Sequence, residues 1–77
     1  MIVKVACEPG GRGEIMPRRL SFDGRTVELT LVLDRWLGAD HSYFKMAGDD
    51  GAIYILRHDI ARDLWELTMY SAAEAPR

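Results

Sequence analysis

Arg57-His58-Asp59 sets an imidazole between a guanidinium and a carboxylate, the parts from which a general base with an orienting partner is built. A neighbouring carboxylate favours the protonated imidazole. No Ser, Cys or Lys nucleophile stands at a recognisable spacing from this set, and an aspartate there more simply opens a turn by bonding its own backbone. The remaining metal-ligand types are Cys7, His41 and scattered carboxylates, with neither a Cys-x-x-Cys nor a His-x-x-x-His spacing. Asp49-Asp50-Gly51 is a turn, far short of a calcium loop. Gly10-Gly11-Arg12-Gly13 lacks the Lys-Ser/Thr ending and the following helix of a phosphate loop. The expectation is a protein without enzymatic activity, metal or cofactor.

Binding chemistry is better represented. Residues 1–25 carry five positive against three negative side chains, and residues 26–77 five against nine. Arg18, Arg19 and Arg25, with Lys45 and the rings of Tyr43 and Tyr54, are the makings of a basic, aromatic surface that holds single-stranded nucleic acid by backbone charge and base stacking. The plainer reading is that these arginines solvate an edge strand. Arg35, Trp36, Tyr43 and Arg57 form a second candidate set, because Trp, Tyr and Arg dominate protein-interface hot spots. Trp65 reads as core.

These side chains must be positioned by a chain of 77 residues, 48% apolar, with ten Lys/Arg against twelve Asp/Glu. That length allows one domain with a thin core, since a domain of this size buries only about 60% of its unfolded surface. The charge balance removes the bulk basic signature of a dedicated nucleic-acid binder. A single cysteine excludes an intrachain disulfide and favours a reducing, cytoplasmic setting. No apolar run reaches the roughly 18 to 20 residues of a membrane span.

The hydrophobic pattern has period two almost throughout. Residues 2–7 fit a short strand, followed by the Pro9 to Gly13 loop, so that residues 1–13 are expected to be peripheral. Residues 14–70 are the β domain proper. Arg18, Leu20 and Phe22 alternate with Arg19, Ser21 and Asp23, and Asp23-Gly24 is a strong hairpin signal. Val27, Leu29, Leu31 and Leu33 then define one apolar face of a central strand. Ser42, Phe44 and Met46 alternate up to a second turn at Gly48-Asp49-Asp50-Gly51. The strand after it has bulky residues on both sides, Ile53 and Ile55 against Tyr54 and Leu56, and is expected to be covered on both. Asp59 to Ala73 also carries a helical spacing at Ile60, Leu64 and Leu67, but Trp65, Thr68 and Tyr70 prefer a strand. Residues 71–77 read as a frayed tail. The expected fold is all-β: five antiparallel strands, or six with the N-terminal one, in a meander closed as a small SH3-like or split barrel.

Pro17-Arg18-Arg19-Leu20-Ser21-Phe22-Asp23-Gly24-Arg25, Val32-Leu33-Asp34-Arg35-Trp36, Tyr43-Phe44-Lys45-Met46-Ala47-Gly48-Asp49-Asp50-Gly51, Tyr54-Ile55-Leu56-Arg57-His58-Asp59 and Trp65-Glu66-Leu67 together give the chain a likeness over residues 17–70. It resembles a family of small uncharacterised bacterial proteins, a module also found at the C-terminal end of some proteins related to Y-family-like DNA polymerases of mutagenic repair. The chain departs from that pattern at its last turn, where Arg62-Asp63 replaces a glycine. The resemblance implies an all-β accessory module without an assigned reaction. The leading expectation is therefore a protein-interaction domain linked to DNA replication or repair, working through Arg35, Trp36, Tyr43 and Arg57. Direct nucleic-acid binding through Arg18, Arg19, Arg25, Lys45 and Tyr54 is the second reading, and a homodimer that buries a sheet face the third.

Overall fold

Residues 1–9 and 15–71 are described by a computed structural model. They form six strands: β1 (Ile2–Pro9), β2 (Ile15–Phe22), β3 (Arg25–Leu37), β4 (His41–Gly48), β5 (Ile53–Asp59) and β6 (Leu64–Ser71). Each pairs antiparallel with the next, and β1 pairs with β6 to close a barrel. The Gly-rich stretch at 10–14 and the expected tail at 72–77 lie outside the described residues.

The turns follow from local chemistry. Asp23 and Gly24 both have positive φ, 50° and 70°, the backbone that a two-residue hairpin with the native twist demands. Gly51 takes φ 83° in the β4–β5 turn. At the last turn Asp63 itself adopts φ 52°, doing without glycine what glycine does at no steric cost. Residues 59–71 thus contain a turn and a strand rather than a helix.

Closure depends on β1 and β3 each serving two neighbours. Lys4 to Pro9 pair with β2, whereas Ile2 and Val3 pair with Glu66 and Trp65 of β6. Arg25 to Glu28 pair with β2, and from Leu29 onward β3 pairs with β4. The N-terminal strand, expected to be peripheral, is therefore the element that shuts the barrel.

Bulges bend the sheet at four places, each an extra residue that also reverses the in–out alternation. Arg18 is extra on β2, so Arg18 and Arg19 are both exposed while Pro17 and Leu20 are buried. On β3 the extra residues are Thr30 and Leu33, and on β6 it is Thr68. The two bulged threonines are held alike: Thr30 Oγ1 donates to the Ala47 carbonyl and Thr68 Oγ1 to the Ile55 carbonyl.

The first β3 bulge overturns one expectation. Val27 and Leu29 enter the core, but Leu31 and Leu33 are turned out to solvent and Val32 packs inward instead. The core runs from Tyr54 and Phe22, in edge contact at one end, through Leu20, Leu29, Met46 and Leu56 to Phe44 and Trp65. Burying each large aliphatic side chain contributes about 1.5–3 kcal/mol. Among the described residues, no buried side-chain nitrogen or oxygen lacks a hydrogen-bond partner. Among these residues no helix is long and apolar enough to cross a membrane.

Candidate protein-interaction surface

Alternation along β4 and β5 decides what faces outward. Ser42, Phe44 and Met46 point into the barrel with Leu56 and His58, so Tyr43, Lys45 and Arg57 point out. The ladders then set Trp36 opposite Tyr43, and Tyr43 opposite Arg57, in one cross-strand row. Trp36 is 51% exposed and Tyr43 37%. The next residues of the row are Glu66 and Ile2.

Arg57 is fixed rather than free. Its Nη1 donates to Glu66 Oε1 at 3.3 Å, and its Nη2 lies 2.9 Å from His41 Nε2. Since a guanidinium only donates, His41 accepts at Nε2. The same imidazole nitrogen is 3.7 Å from Asp59, and Glu66 also faces the N-terminal ammonium at 3.6 Å.

Arg35 is separated from this row. It stands opposite Phe44, so it shares the concave side of the sheet, and its backbone N–H donates to Asp34 Oδ1 at 2.8 Å. Of the four residues expected at a protein interface, Trp36, Tyr43 and Arg57 share a face and Arg35 does not.

Sequence reasoning missed the larger part of this face. Leu31 stands opposite Ala47, which stands opposite Ile53; Lys45 stands opposite Ile55, which stands opposite Met69. Leu31 is 58% and Met69 61% exposed. Lys45, Ile53, Ile55, Met69 and Ser71 line a shallow hollow of about 220 Å³. The signal was present in the two-sided bulk of β5, read as covering by another layer. Instead Ile53 and Ile55 are half-buried by their own neighbours, and none of the described elements covers them.

The residues assigned to nucleic-acid binding are dispersed and paired. Arg18 meets Glu8 at 3.1 Å. Arg19 Nε donates to Glu28 at 2.5 Å, which holds the guanidinium above and the carboxyl below their ordinary values. Arg25 lies 3.7 Å from Asp50 and over the Phe22 ring. These arginines belong to β2 and the first residue of β3, whereas Lys45 and Tyr43 stand on β4. Tyr54 is 0% exposed, so the expectation that it stacks on a base is corrected: its ring is core, and its hydroxyl donates to Asp50.

The imidazole–carboxylate set is also rearranged. His58 and Asp59 point to opposite sides of β5. Buried His58 stacks on Trp65, ring centroids 4.2 Å apart, and its Nε2 pairs with Asp63 at 2.8 Å. Asp59 instead accepts from the Arg62 backbone N–H. Cys7 lines an open apolar hollow of about 500 Å³ with Ile15, Asp63 and Trp65, but burial, and then the Asp63 charge, push its thiol up, the reverse of nucleophile activation. Among the described residues, no three His, Cys, Asp or Glu side chains are grouped to hold a metal ion.

The fold and this face define a small closed antiparallel barrel with an exposed aromatic and aliphatic outer surface. Comparison with known proteins finds no matching family model, no matching curated relative and no matching solved structure.

Proposed function

We propose that the chain is a non-enzymatic binding module that docks another polypeptide on the outer face of β3–β6, with Trp36, Tyr43 and Arg57 as anchors. The observation that carries this reading is their alignment in one cross-strand row beside exposed Leu31 and Met69 and half-buried Ile55. An exposed apolar field bordered by aromatic rings and a guanidinium has the composition of an interface core. Arg57 is held by Glu66 and His41, so it meets a partner with little ordering cost. The likeness to modules of repair proteins suggests DNA replication or repair as the setting. Against direct nucleic-acid binding stands the pairing of Arg18, Arg19 and Arg25 with carboxylates.

The test replaces Tyr43 by a photoreactive phenylalanine analogue in cells that produce the full chain. Polypeptide adducts that disappear when Trp36→Ala is added are expected. Adducts confined to nucleic acid, or none at all, would overturn the proposal.

A further inference from the structure

Resting on that reading, we infer that the polypeptide docked on the outer face of β3–β6 is a second copy of this chain, related by a twofold axis. An isologous contact requires one face to carry both halves of its own complement. This face does. Leu31 stands out from β3, and the hollow over Ile53 and Ile55 lies two strands away, roughly 10 Å at the usual strand spacing. A twofold axis lying between the two sheets and running along the outer side of β4 seats the Leu31 of each copy in the hollow of the other. At that axis stands Ala47, small enough to let two sheets approach.

Charge agrees with shape. The face carries Asp34 opposite Lys45 and Arg57 opposite Glu66, with Asp59 and the N-terminal ammonium at its edge, three carboxylates and three cations in all. A partner of strong net charge gains nothing here, whereas a copy presents equal numbers of both signs. Nearness to Asp34 also relieves the meeting of two Lys45 side chains at the axis.

Area points the same way. Trp36, Tyr43, Leu31 and Met69, with their half-buried neighbours, leave on the order of 500 Å² of apolar surface in water, at the upper end of what monomers expose. With its charged rim the face reaches about the 800 Å² that each partner buries in a stable complex. Closure of the barrel has already covered the inner apolar face, so the dimer expected from an open sheet is relocated to the outside.

The test is sedimentation of the full chain from about 1 to 200 μM, the range in which an association of this size is read by mass action. A concentration-dependent shift from 8.7 kDa to about 17 kDa is expected. Met69→Glu and Leu31→Glu, both at exposed positions, are expected to weaken association at least tenfold each while leaving the circular dichroism spectrum unchanged. A monomer at every concentration overturns the inference, as does a dimer indifferent to both variants. Adduct mass separates this failure from failure of the binding-module reading. A Tyr43 adduct of about 17 kDa supports the second copy, adducts of other masses leave only the module, and the absence of adducts removes both.

Discussion

The Tyr54 hydroxyl donates to Asp50 Oδ2 at 2.5 Å, joining the floor of the barrel to the turn that follows β4. Asp50 Oδ1 accepts from the Ala52 backbone N–H, and Arg25 stands 3.7 Å from the carboxylate. One carboxylate thus ties the β4–β5 turn, the start of β3 and a core aromatic together. Partial burial by itself raises the Asp50 carboxyl, but these partners bring it below its ordinary value.

Tyr54→Phe is expected to cost about 1–2 kcal/mol at neutral pH, the loss of one hydrogen bond to a charged, partly exposed acceptor. It should also change the alkaline limb. Burial, and then Asp50, hold the phenol up at about 12, above the ordinary value of about 10 for an unfolded tyrosine. The neutral phenol's contribution is therefore whole below pH ~10 and is lost as pH rises toward ~12. Urea unfolding at several pH values should show a shallower decline for Tyr54→Phe than for the unsubstituted chain over that window. Parallel curves would contradict the assignment.

Gly48→Ala probes how tightly this corner is packed. A Cβ there falls 2.7 Å from Val27 Cγ1, 2.9 Å from Tyr54 Cε2 and 2.6 Å from Asp50 Oδ1. Two of these atoms belong to the core, where overpacking costs about 1–3 kcal/mol. Gly24→Ala meets no atom within 4 Å and suffers only from its φ of 70°, about 1 kcal/mol. Thermal melts should rank Gly48→Ala below Gly24→Ala.

At Asp63 two effects oppose one another. Asp63→Gly relieves a left-handed backbone, a gain of about 1 kcal/mol, but strips buried His58 of its partner, a loss of about 1–3 kcal/mol. The loss is the larger, so a net destabilisation is expected, whereas Asp63→Asn keeps a hydrogen-bonding group and changes less. Asp63→Asn should also speed alkylation of Cys7 by removing a charge that disfavours the thiolate, and an unchanged rate would show that burial alone sets that reactivity.

Single-stranded DNA and RNA should bind weakly and with little dependence on salt between about 50 and 200 mM, because the arginines that would displace counterions already hold carboxylates. Fluorescence anisotropy with labelled oligonucleotides reads this directly. Saturable, steeply salt-dependent binding lost on Arg19→Glu with Arg25→Glu would restore the nucleic-acid reading.

What the sequence made legible is what short-range chemistry controls. Asp23-Gly24 and Gly48 to Gly51 announce their turns through φ preference, and strict alternation announces strands. Bulges carry no such mark: nothing in Leu29-Thr30-Leu31 shows that Thr30 is the extra residue, and one such residue exchanges Leu31 for Val32 in the core. On β5 both alternating sets are apolar, so periodicity had no means of choosing Tyr54 over Ile53 for the inside. Adjacency in the chain pairs His58 with Asp59, whereas the strand sends those two side chains apart and the turn returns Asp63. Trp36, Tyr43 and Arg57 were legible as types, but their alignment depends on two ladders.

The seam between β1 and β6 consists of two residue pairs, Ile2 with Glu66 and Val3 with Trp65, reinforced by the Leu67 N–H to Met1 carbonyl bond. The other five pairings join consecutive strands; this one alone brings the two ends of the meander together. Its loop-closure entropy is the largest in the fold, and little is returned until the rest is assembled. Sealing of this seam is therefore the expected last event of folding. The same seam is the first to part, so amide protons of Ile2 and Val3 should exchange by an opening that leaves the five hairpins intact.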